Sequence, residues 1–124
     1  MKKRIALIED DEILSNRLCA GLNDAGFDVS VAFDGEEGLK LIETLKPDLI
    51  LLDIILPKMD GLTVAKKLKS NPSTKNMPII ILTALEKAQP LVDALESGVY
   101  EYIIKSDLKV QDIVERVKEK LESS

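Results

Sequence analysis

Two hydrophobic periods take turns along this chain. Residues 4–8 are a short apolar run flanked by charge, which reads as a strand. Residues 12–25 then place Leu14, Leu18 and Leu22 on one face of a helix. Asp11 stands at the N-cap position and Gly26 at the left-handed position that stops a helix. Val29, Val31 and Phe33 alternate with polar or small residues, the pattern of a strand with one more exposed face. Asp34 and Glu37 form a capping box for the next helix, which carries Leu39, Ile42 and Leu45 and ends before Pro47. Residues 49–52 are wholly apolar, as a strand covered on both faces must be. A short helix over 61–70 turns Leu62, Ala65 and Leu68 inward, with Asp60-Gly61 supplying its turn and cap. A fourth strand over 77–82 keeps Pro78 at its start. A helix over 86–97 follows, frayed near Pro90 and stopped by Gly98. A fifth strand covers 100–104. A last helix over 107–121 faces the sheet with Ile113, Val114, Val117 and Leu121.

Five strands alternating with five helices predict a doubly wound α/β fold with a five-stranded parallel sheet and helices on both faces. With no linker or repeat in 124 residues, residues 1–124 read as one domain. Aromatics are only 3%, so the core is mainly Leu, Ile, Val and Ala. No apolar run approaches the roughly 20 residues of a membrane span. The basic start at Lys2-Lys3-Arg4 precedes too short an apolar stretch for an export signal, so a cytoplasmic location is expected. Net charge of −5 argues against direct nucleic-acid binding and against anionic membranes, and the lysines at 66, 67 and 69 read as a solvated helix face. With one cysteine there is no internal disulfide, and Cys19 reads as core filler. With no histidine there is no imidazole base and no His-ligated zinc.

The chemistry gathers at the carboxyl ends of the strands. Glu9-Asp10-Asp11 follows the first, Asp53 the third, and Lys105 the fifth; Thr83 closes the fourth. In such sheets that edge is where ligands bind. Glu9, Asp10 and Asp53 would repel one another, and a divalent cation removes that cost. Oxygen ligands without Cys or His point to Mg²⁺, with Mn²⁺ the other fit. The Thr83 hydroxyl would donate a hydrogen bond to one phosphoryl oxygen, and the Lys105 ammonium would neutralise a second. One nucleophilic carboxylate, one metal, one hydroxyl and one ammonium suit the capture of a phosphoryl group as an acyl phosphate. The bland alternatives are a helix cap for Asp10 or Asp11, a turn acid for Asp53, a structural role for Thr83 and a plain surface residue for Lys105.

From Lys3 to Leu121 the chain resembles the receiver domains of bacterial response regulators, with their flavodoxin-like, chemotaxis-regulator-like fold. The resemblance rests on Leu7-Ile8-Glu9-Asp10-Asp11-Glu12, on residues 51–61 with Asp53, Pro57 and Asp60-Gly61, on Ile81-Leu82-Thr83-Ala84, and on Tyr102-Ile103-Ile104-Lys105. It implies that Asp53 is phosphorylated. It implies that Asp10 binds the metal directly, that Glu9 acts largely through water, and that the Ile55 carbonyl is a further ligand. Thr83 would sense the phosphoryl group, Tyr102 would be the rotating switch, and Lys105 would neutralise charge. The family's usual proline after that lysine is Ser106 here. A cis bond before serine costs about 2.5–4 kcal/mol, so the path beside Lys105 stays open.

The expected function is therefore a phosphorylation-activated switch in two-component signal transduction, not an enzyme. A histidine kinase or phosphotransfer protein would be the donor. The face made by the fourth helix, fifth strand and last helix would pass the signal to a downstream protein or output domain, or to a homodimer partner. The alternative is the receiver of a longer DNA-binding response regulator. An aspartyl-phosphate-forming phosphohydrolase is the rival. It needs an acid two residues after its nucleophile, where this chain has Ile55. Ile55 and Leu85 would border the approach of water in this family, and both are apolar, so slow hydrolysis is expected.

Overall fold

The computed structural model describes residues 2–83, 100–104 and 109–122. The elements are β1 (Arg4–Ile8), α1 (Glu12–Asp24), β2 (Asp28–Ala32), α2 (Gly35–Leu45), β3 (Leu49–Leu52), α3 (Gly61–Ser70), β4 (Ile79–Thr83), β5 (Tyr100–Ile104) and a C-terminal helix α4 (Val110–Glu122). All strand pairs are parallel, in the order β2-β1-β3-β4-β5. This is the expected doubly wound sheet. The helix expected over 86–97, and Lys105, Ser106 and the expected helix start at Asp107, lie outside the described residues.

Alternation within each strand builds two cores. Ala6, Ile8, Ile50, Leu52, Ile79 and Ile81 face Ile42 of α2 and Val64, Ala65 and Leu68 of α3. Ile5, Leu7, Leu49, Leu51, Ile80 and Leu82 face Leu18 and Leu22 of α1 and Ile113, Val114 and Val117 of α4. Every residue of β3 is buried, which is why that strand carries no polar alternation.

The caps match the sequence closely. Asp11 accepts from Ile13 N and Leu14 N. Asp34 accepts from Glu37 N at 2.9 Å, and Asp60 from Thr63 N at 2.9 Å. Gly26 adopts φ +97°, as a residue ending α1 should.

Three details differ. Phe33 is not part of β2 and is 43% exposed. Its amide donates to Glu37 Oε2 at 3.4 Å, so the return bond of the capping box is made to Phe33, the residue before the cap. Leu62 is only half-buried, while Val64 takes the deeper position on α3. Met77 and Pro78 precede β4, although the Pro78 carbonyl still accepts from Ile50 N at 3.0 Å.

Helix α2 ends on Lys46, which sits at φ 51°, ψ 65°. Its N–H bonds to Ile42 O at 2.9 Å, which closes the last turn. A non-glycine residue pays about 1–2 kcal/mol in this region, and glycine's extra unfolded-state freedom offsets about 0.5–1 of the gain. Lys46→Gly is therefore expected to stabilise the fold by about 0.5–1 kcal/mol. A denaturant midpoint at or below the parent's would contradict this account of the cap.

Candidate phosphoryl and metal site

Strand order puts the acids together. The chain leaves β1 for β2 on one side and returns to β3 on the other, so the crevice opens between the carboxyl ends of β1 and β3. Ile8 pairs with Leu52, so Glu9 and Asp53 emerge side by side. The backbone continues the ladder for one more step, with Asp53 N donating to Ile8 O and Glu9 N to Ala32 O, both at 3.0 Å.

Glu9, Asp10 and Asp53 each offer a carboxylate oxygen within 4.8 Å of the others. Glu9 is fully buried, Asp53 is 4% exposed, and Asp10 faces solvent. Asp11 N donates to Glu9 Oε2 at 3.1 Å, which tethers that carboxylate. Ile55 N donates to Asp53 Oδ1 at 3.1 Å, which orients the other. An all-oxygen donor set with one solvent-facing member fits a hard cation that keeps part of its water shell, as Mg²⁺ does. The expected cluster is thus assembled.

The other expected residues divide. Thr83 ends β4 beside β3, and Tyr102 lies within β5 opposite Ile81. Ile55 is 54% exposed. Lys105 and Leu85 lie outside the described residues. Asp11 is the helix cap and Cys19 is half-buried, its thiol pushed up by burial, which suits a packing role.

The loop after β3 is anchored in ways the sequence does not reveal. A Cβ on Gly61 would overlap the Asp53 carbonyl oxygen, and one on Gly35 would overlap the Met59 carbonyl oxygen. Gly61 N donates to Ile54 O at 2.8 Å, and Gly35 N to Pro57 O at 3.4 Å. Lys58 takes φ 66°, and its Nζ lies 3.6 Å from Asp34 Oδ2. Local sequence marks Asp34 as a cap alone. Its second link, to a loop 24 positions on by numbering (58 − 34), exists only through the fold.

A profile of the response regulator receiver domain family matches residues 5–118, and the chain belongs to that family. Over 115 residues it is 39% identical to the DNA-binding dual master transcriptional regulator RpaA of Synechocystis, a match covering 93% of this chain and 47% of that protein. Over 105 residues it is 43% identical to the alkaline phosphatase synthesis transcriptional regulatory protein PhoP of Bacillus subtilis, covering 85% and 43% respectively. The chain thus spans about half the length of these curated relatives. Among solved structures, the CheY-like receiver domain protein of Methanospirillum hungatei superposes with TM-score 0.87 at 31% identity, covering 99% of this chain and 96% of that one. Among the described residues no helix is long and apolar enough to cross a membrane.

The N–H of Glu37 bonded to its carboxylate, followed by the Lys58 ammonium, holds the Asp34 pKa below its ordinary value. Its folded pKa lies under the unfolded value of about 3.9. The stabilisation it gives is complete above that value and is lost as pH falls through the folded one. Asp34→Asn keeps a capping oxygen but has no such titration. Between pH 6 and 2.5, the parent's unfolding midpoint is expected to fall more steeply than the variant's, and parallel curves would contradict this.

Proposed function

We propose that this chain is a single receiver domain, residues 1–124, that accepts a phosphoryl group on Asp53 from a phosphohistidine of a histidine kinase or phosphotransfer protein. The observation that carries the reading is the convergence of Glu9, Asp10 and Asp53 within 4.8 Å at the switch point of the sheet. Family membership supports it.

Asp53 is the member of the cluster best suited to attack. It is held at the mouth of the central strand, and the Ile55 amide fixes one of its oxygens. Its carboxylate oxygen forms the new bond to phosphorus as the donor's nitrogen–phosphorus bond breaks, giving an acyl phosphate. Asp10 and Asp53 with the Ile55 carbonyl would hold Mg²⁺, and tethered Glu9 would act through water. When bound, the ion offsets the charge of the carboxylates and of the incoming phosphoryl oxygens. Thr83 and Lys105 are the proposed hydroxyl and ammonium partners of that group, and Tyr102 the switch that carries its presence to the output face. Ile55 offers no proton where a phosphohydrolase needs an acid, which favours a stored acyl phosphate over turnover.

The similarity to transcriptional regulators about twice this chain's length supports an output domain as the recipient of the signal, with a separate downstream protein as the alternative. A cytoplasmic setting and a phosphorylation-dependent homodimer are consistent with that role.

Incubation with a small-molecule phosphodonor and Mg²⁺ is expected to add one phosphoryl group by intact mass, and Asp53→Asn to abolish it with the fold unchanged. Equal labelling of the Asn variant would sink the assignment. In a Mg²⁺ titration, Asp10→Ala is expected to weaken binding more than Glu9→Ala, because the exposed carboxylate would be the one to hold the ion directly while the buried one is already tethered. The reverse order would exchange their roles.

A further inference from the structure

The opposite pole of the sheet carries concentrated charge of the other sign. Because the strands are parallel, the start of β1, the entry to β3 and the end of α2 meet there. Lys2, Lys3, Arg4, Lys46 and Asp48 line a hollow of about 270 Å³. Four cationic side chains thus share one carboxylate, in a chain whose net charge is −5.

The carboxylate is already engaged. Asp48 Oδ2 accepts from the Arg4 amide at 2.8 Å. Arg4 Nη1 donates to the Leu45 carbonyl at 2.8 Å. That bond covers a carbonyl at the negative end of α2, which would otherwise repel an anion. The guanidinium keeps further N–H donors in its planar fork. Among the described residues, the ammonium groups of Lys2, Lys3 and Lys46 have no ion-pair or hydrogen-bond partner. Attraction to the helix end accounts for a cation at Lys46, but not for the three that precede or begin β1. The backbone fixes the arrangement: Asp48 N donates to Arg4 O at 2.8 Å, and Asp28 N to Lys3 O at 2.9 Å.

We propose that this hollow binds a compact inorganic polyphosphate, a chain of two or more phosphoryl groups. Separated ammonium charges beside one guanidinium match several phosphate oxygens better than a single one. Among the described residues the lining has no aromatic ring on which a nucleobase could stack. A confined hollow on an acidic protein does not offer the long basic track that a nucleic-acid backbone requires. The site lies at the strand starts and the acid cluster at their ends, so an anion here leaves Asp53 open.

The test is a titration with tripolyphosphate in EDTA, monitored by backbone amide shifts. Without a divalent cation the Glu9, Asp10 and Asp53 carboxylates repel anions, so the two poles are separated. Shifts are expected to concentrate at Lys3, Arg4, Lys46 and Asp48, with tripolyphosphate binding about tenfold more tightly than orthophosphate at equal ionic strength. Lys46→Gly, whose backbone suits the fold, is expected to weaken binding roughly fivefold. Lys66→Gln makes the same change of charge on the exposed face of α3 and is expected to leave affinity unchanged. Equal losses in both variants, orthophosphate binding as tightly as tripolyphosphate, or shifts centred elsewhere would each overturn the proposal.

Discussion

The register between β1 and β3 is the constraint on which the rest of this molecule depends. Ile8 stands opposite Leu52, and the ladder runs one step further through the amide of Asp53. A slip of one residue would send the side chains of a fully buried strand to the wrong faces. It would also part the carboxylates by a residue's rise, about 3.3 Å. The apolar packing that fixes the strands therefore fixes the chemistry, and no separate device is needed to bring Glu9 to Asp53.

The loop leaving β3 is held by a different kind of contact. It runs back against the first turns of α2 and α3, where Gly35 and Gly61 let carbonyl oxygens approach too closely for any side chain. Lys58 reaches Asp34 from a left-handed backbone position. The Lys58 side chain is 60% exposed, so the ion pair itself adds little stability. The backbone bonds and the glycine contacts do most of the anchoring, and the pair helps set which way the loop leaves.

Much of this architecture is legible in the sequence, for local reasons. Strand β3 announces itself as an unbroken apolar run, and Asp11, Asp34 and Asp60 are readable as caps because a cap acts within three residues. The acid cluster becomes legible once the alternation of elements implies a parallel sheet. Phe33 misleads because its period matches the strand, while in the structure its amide donates to Glu37 beyond the end of β2. Lys46 and Lys58 give no sign of positive φ, since lysine is not a residue that marks such turns. The steric role of Gly35 and Gly61 depends on backbone atoms distant in sequence, so no local pattern could show it.

Among the described residues the two cores lie on opposite faces of the sheet, one fed by even-numbered and the other by odd-numbered residues of β1 and β3. Side chains on opposite faces of those strands share no partner. Their energetic effects should combine without coupling, as for sites with no common contacts. One face can then accumulate sequence changes while the other stays still. The helices α2 and α3 that brace the acid-bearing loop and the pair α1 and α4 on the far side are thus separable units of variation. A lineage could remodel the buried residues of the far core, provided that Asp11, which caps α1 and whose amide tethers Glu9, keeps its place beside the crevice.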